Sequence, residues 1–121
     1  MTRAPVPDVW LARVRDVMST LPEVREERAW TGVRWLVRGA NVAHLFGGED
    51  GLVRISFRAE MSEVPVFEHA GPRWFRVGGS GNVVGIVLDD DTDVEELAEL
   101  LTDSWVVQAP RELVEPRTDP D

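Results

Sequence analysis

The sequence predicts an α+β fold, an antiparallel sheet of about five to six strands with an N-terminal and a C-terminal helix packed on one face. Three observations predict it. Apolar residues recur at helical spacing near both ends of the chain, and the centre alternates with period two. Glycine-bearing turns punctuate that centre at short intervals, as hairpins require.

The first helix is expected over residues 9–21. There Trp10, Val14, Val17, Met18 and Leu21 form one apolar stripe, Asp8 stands ready as a cap, and Pro22 stops the helix. A short strand over 26–30 precedes a better one over 33–38, where Val33, Trp35 and Val37 alternate with Arg34, Leu36 and Arg38. Gly39-Ala40 reads as a two-residue II′ turn into a strand over 41–46. After the loop Gly47-Gly48-Glu49-Asp50-Gly51, a strand over 52–58 sets Val53, Ile55 and Phe57 on one face, so the sheet is a meander. Residues 59–70 fit either a short helix before Pro65 or a loop that packs Val66 and Phe67 inward. Strands over 73–77 and 83–88 flank Gly78-Gly79-Ser80-Gly81-Asn82.

The second helix opens with a capping box, Thr92-Asp93-Val94-Glu95, and buries Val94, Leu97, Leu100 and Leu101. Each such burial contributes about 1.5–3 kcal/mol before entropy. Residues 105–108 read as a further extended segment ended by Pro110. Residues 1–7 and 115–121 are expected to fray, leaving 8–114 as the core of one domain.

Composition narrows the function. The chain has 121 residues, 43% hydrophobic and 29% charged, as in an ordinary soluble domain. No apolar run reaches the roughly 20 residues of a membrane span, and no signal peptide is evident, so the cytoplasm is the expected location. With no cysteine there are no disulfides, thiol nucleophiles or thiolate metal sites. All 13 cations are arginines, which removes lysine chemistry, and 22 carboxylates bring the net charge to −9. An acidic chain repels nucleic acid and anionic membranes except where a local patch opposes the average.

Three segments, in order, resemble the MmcQ/YjbR family: Leu21-Pro22-Glu23-Val24 followed by Trp30; the hairpin through Gly39; and the helix from Val94 followed by Asp103-Ser104-Trp105 and Ala109-Pro110-Arg111. The resemblance spans about residues 8–114. Where the family commonly has lysine after Ala-Pro, this chain has Arg111, which keeps the charge and changes its shape. It implies a CyaY-like α+β fold and carries nucleic-acid binding as a family-level expectation. Another protein or peptide is the physically easier partner for so acidic a chain. Oligomeric state is not encoded.

The candidate binding residues are arginines with one aromatic. Arg34 and Arg38 share a strand face, as do Arg54 and Arg58; Trp74 and Arg76 are expected to point away from an inward Phe75 and Val77; Arg111 completes the set. The strand residues among them make a sheet face able to hold phosphates or stack a base. The plainer alternative is a solvated face whose arginines pair with glutamates across strands, each pair contributing a few tenths of a kcal/mol. Asp89, Asp90, Asp91 and Asp93 lack calcium-loop spacing and suit a helix N-terminus. His44 and His69 lack ligand-spaced partners, and Ser80 lacks a nucleophile elbow. No catalytic constellation, metal site or cofactor is expected. Trp10 and Trp35 belong to the core and Trp105 docks the C-terminal segment, leaving Trp30 and Trp74 as the tryptophans open to exposure.

Overall fold

The structure, a computed structural model, describes residues 5–114. The fraying expected of residues 1–4 and 115–121 lies outside them. Helix α1, Asp8–Met18, buries Trp10, Val14 and Met18, one from each turn. Pro7 occupies the cap position in an extended conformation, so Asp8 sits inside the first turn rather than before it. The helix ends short of Leu21 because the Ser19 and Thr20 hydroxyls donate back to the carbonyls of Asp16 and Val17.

Six strands follow: β1 Val24–Arg28, β2 Val33–Val37, β3 Ala40–Gly47, β4 Val53–Arg58, β5 Trp74–Arg76 and β6 Val83–Leu88. They pair antiparallel in the order β1-β2-β3-β4-β6-β5. Four strands form the expected meander. The last hairpin then enters reversed, with β6 against β4 and β5 at the edge. The β2–β3 turn lies one residue earlier than expected. Val37 pairs with Ala40, and Arg38 (φ 48) and Gly39 (φ 86) both take the positive φ of a type I′ turn. Trp30 lies beyond the end of β1, in the loop to β2.

The β2–β3 ladder carries a bulge. Trp35 faces Ala43 and Leu36 faces Asn41, so Val42 has no register partner. Val42 is 1% exposed in the core, while Asn41 lines the opposite face. The bulge therefore re-aims two side chains.

One sheet face carries Trp35, Ala43, Leu45, Ile55, Phe57, Val84, Ile86 and Leu88 against the apolar stripes of α1 and α3. The ambiguous segment resolves as a 3₁₀ turn, Met61–Glu63, running into α2, Val64–Glu68, with Pro65 in its first turn. Helix α3, Val94–Gln108, is longer than expected. Trp105 falls four residues after Leu101 on the same buried stripe, so it is the last rung of a helix rather than part of a strand. Its indole donates to the Pro22 carbonyl at 3.0 Å. The cap also differs. Asp93 accepts from the Glu95 and Glu96 amides, and the Thr92 hydroxyl accepts from the Asp89 amide. Ala109 is extended, as a residue before proline must be, and a single turn, α4 (Arg111–Val114), follows. No helix among the described residues is long and apolar enough to cross a membrane.

Candidate functional site

The open face of the sheet is ordered by its register. Glu27, Arg34, His44, Ser56, Gly85 and Phe75 form one row across it. Asn41, Arg58, Val83 and Val77 lie alongside and, with Arg34, His44 and Ser56 of that row, line a groove of about 350 Å³. The loop Ala29–Thr31 makes one wall, with Trp30 at the rim and 100% exposed. That loop is held firmly. The Ala29 amide donates to the Gly32 carbonyl, and His44 Nε2–H donates to the Thr31 carbonyl. Gly32 (φ 77) passes so close to Leu45 that a Cβ would collide with its carbonyl oxygen.

The arginines are mostly neutralised. Arg34 directs two N–H groups onto Glu27, its register partner on β1. Arg38 grips Glu23 with two donors and reaches Glu112 at 3.0 Å with a third, while Arg54 grips Asp50. Hydrogen bonds from these guanidinium groups hold the Glu23, Glu27 and Asp50 carboxyls below their usual range. Arg111 opens α4 as an exposed residue, one position before the Glu112 that Arg38 holds. The open face is thus a set of closed ion pairs rather than a bare basic surface.

Arg58 is the exception. Its guanidinium donates to the Asn82 amide oxygen at 3.0 Å, and no carboxylate among the described residues pairs with it. Two residues away on the same face, Ser56 is 8% exposed, and its hydroxyl makes no hydrogen bond among the described residues. In the same lining, Asn41 Oδ1 is the one buried side-chain polar atom among them with no partner. A buried unsatisfied acceptor, costly anywhere in a folded chain, thus lies in the same lining as an arginine with no carboxylate partner among the described residues.

Two expected members stand elsewhere. Trp74 pairs with Ile86 and Arg76 with Val84, both core residues, so Trp74 and Arg76 belong to the helix-covered face. Trp74 packs on Phe67 of α2 at 5.5 Å between ring centres, and Arg76 pairs with Glu68 and donates to the Gly81 carbonyl. Phe75 and Val77 take the open face instead. The Phe75 ring fills the space a Cβ on Gly85 would need, and Val77 borders the groove. The strand offered aromatic or apolar residues on both faces, and only the α2 partner for Trp74 decided between them.

Of the sequence candidates, Arg34 and Arg58 come together at the groove. Arg38, Arg54 and Arg111 do not line it. Sequence reasoning missed Ser56 and Asn41. Ser56 had a signal, as the one hydroxyl in a strand otherwise of apolar residues and arginines; Asn41 had none, because the bulge sets its direction. His44 lines the groove directly across from Ser56, yet no hydrogen bond joins them, so they are not a preformed nucleophile–base pair. His69 is exposed and donates to the Pro65 carbonyl, and the Asp89 carboxylate pairs with Arg73. No group of three or more His, Asp or Glu among the described residues is placed to hold a metal ion.

No family model matches the sequence, and no curated protein matches it. Among solved structures, the Deinococcus radiodurans protein DR2400, which carries a DUF419 domain, is similar with a TM-score of 0.68. The match covers 80% of this chain and 76% of that one at 20% identity. At that identity the likeness establishes a shared α+β fold.

Proposed function

We propose that this chain is a non-enzymatic binding domain of the MmcQ/YjbR type and that its ligand occupies the open-face groove. DUF419 is the domain of that family, so the fold likeness supports the family reading alongside the three sequence segments. The observation that carries the site is an Arg58 guanidinium with no carboxylate partner among the described residues, beside the Ser56 hydroxyl and the buried, unpaired Asn41 Oδ1. A groove of about 350 Å³ is within the usual size of small-ligand sites.

The ion pairs bear on the family's nucleic-acid expectation. A duplex is held by many phosphate contacts, and most arginines here already hold carboxylates. Fluorescence anisotropy with labelled single- and double-stranded oligonucleotides at low and moderate salt is the test. The groove reading predicts no duplex binding and, at most, weak single-strand binding that Arg58→Ala abolishes and Arg76→Ala leaves intact. Tight duplex binding with a steep salt dependence, lost in Arg54→Ala or Arg76→Ala, would overturn it.

A second reading has its own observation. On the helix side, Phe57, Phe67, Leu100, Val106 and Val107 line a cleft of about 250 Å³ that Arg58 also borders and whose rim carries Glu60, Glu63 and Asp103. None of these carboxylates has an ion-pair partner among the described residues. Such a rim suits a basic protein or peptide, and binding that survives Ser56→Ala but fails in Val106→Asp would favour it.

A further inference from the structure

We infer that the groove takes a single nucleoside monophosphate. The inference rests on the groove reading and adds the chemical class of its ligand. Pleated-sheet spacing sets His44 and Ser56 on adjacent strands about 4.8 Å apart, and Arg58 about 6.6 Å along from Ser56. A guanidinium with donors to spare and a free hydroxyl therefore stand within the span of one phosphate group. His44 Nδ1 has no hydrogen-bond partner among the described residues and, with the proton on Nε2 given to Thr31, is an acceptor.

The same groove ends in a flat aromatic surface. Trp30 is fully exposed on a loop pinned by the His44–Thr31 hydrogen bond and by the close backbone approach at Gly32. Its backbone is held while its indole stands fully in water, so the ring can stack on a planar group at the mouth of the groove. Phosphate at one position and a base at the other describe a nucleotide.

One uncompensated arginine also limits the length of the ligand. It can replace the counterions of about one phosphate, so binding should fall with log salt at a slope no steeper than about −1. A polymer threaded along the face would need several such cations, and here they are held by Glu27, Glu23 and Asp50.

Isothermal titration calorimetry on the full chain tests this with AMP, adenosine, inorganic phosphate and benzoate. AMP should bind more tightly than adenosine or phosphate alone. Ser56→Ala and Arg58→Gln should each weaken AMP about tenfold or more, as the loss of one charge-assisted hydrogen bond predicts. Trp30→Ala should weaken AMP and adenosine and leave phosphate unchanged. Thermal melts of all three variants confirm that they fold, and Ser56→Ala, which removes one oxygen, serves if Arg58→Gln does not. Adenosine or phosphate equal to AMP would overturn the nucleotide class. So would benzoate binding that depends on Arg58 with no AMP binding, which leaves the groove reading standing. No binding by any of the four overturns both.

Discussion

At the scale of single residues, every buried side-chain polar atom among the described residues is paired except Asn41 Oδ1 in the groove. Ser104, fully buried, shows what pairing does: its hydroxyl donates to the Val42 carbonyl at 2.6 Å and accepts from the Arg58 amide at 2.8 Å. One oxygen thus ties α3 to the bulge on β3 and to the end of β4 that carries Arg58. Ser104→Ala leaves both groups unpaired and should destabilise by about 1–3 kcal/mol in urea denaturation. The ion pairs predict a pH dependence. Arg38 holds the Glu23 carboxyl low, Arg15 that of Glu26, Arg34 with Arg25 that of Glu27, and Arg54 that of Asp50. Folded pKa values below the unfolded ones give stability that is present above the ordinary carboxyl pKa of about 4 and is lost as pH falls through the folded values. Urea midpoints should therefore be flat from neutral pH to about 5 and fall below about 4, with a smaller fall in Glu27→Gln. The charge content was legible in the sequence, and the cross-strand pair Glu27–Arg34 was legible as a type. That Arg58, among the open-face arginines, would find no carboxylate among the described residues was not, because that depends on where the strands put each acid.

At the scale of elements, the period of the apolar pattern was a good guide wherever it pointed one way. Strand β6, Val83–Leu88, lies where its apolar run placed it, and α1 buries the stripe it displays. Two elements show the limits. Residues 105–108 carry β-branched and aromatic side chains that suit a strand, yet Trp105 continues the stripe of Leu97 and Leu101, and packing decided for helix. In β5 both faces offered large side chains, and the choice fell to α2, whose Phe67 receives Trp74. The β1–β2 loop joins element to site. Gly32→Ala must either clash with the Leu45 carbonyl or give up its positive φ. It should cost about 1–3 kcal/mol in a urea melt and shift the His44 ring resonances as the Thr31 contact is lost, with Trp30 displaced from the rim.

At the scale of the molecule, the two faces of the sheet differ in kind. The helix-covered face holds the core, and the open face holds closed ion pairs around a groove with an exposed indole and with an arginine and a hydroxyl that have, respectively, no carboxylate and no hydrogen-bond partner among the described residues. The sequence already pointed to the open face and to Arg34 and Arg58 on it. It could not supply Ser56 and Asn41 as neighbours, since their adjacency to Arg58 comes from strand register and a bulge. The measurement that goes most directly to the central claim is amide chemical-shift mapping of the full chain titrated with AMP, inorganic phosphate and a single-stranded tetranucleotide. The groove account predicts perturbations concentrated at His44, Ser56, Arg58 and the Ala29–Thr31 loop, absent in Arg58→Gln. Perturbations centred instead on Arg54, Arg73 and Arg76, or on the cleft between Phe67 and Val106, would contradict it.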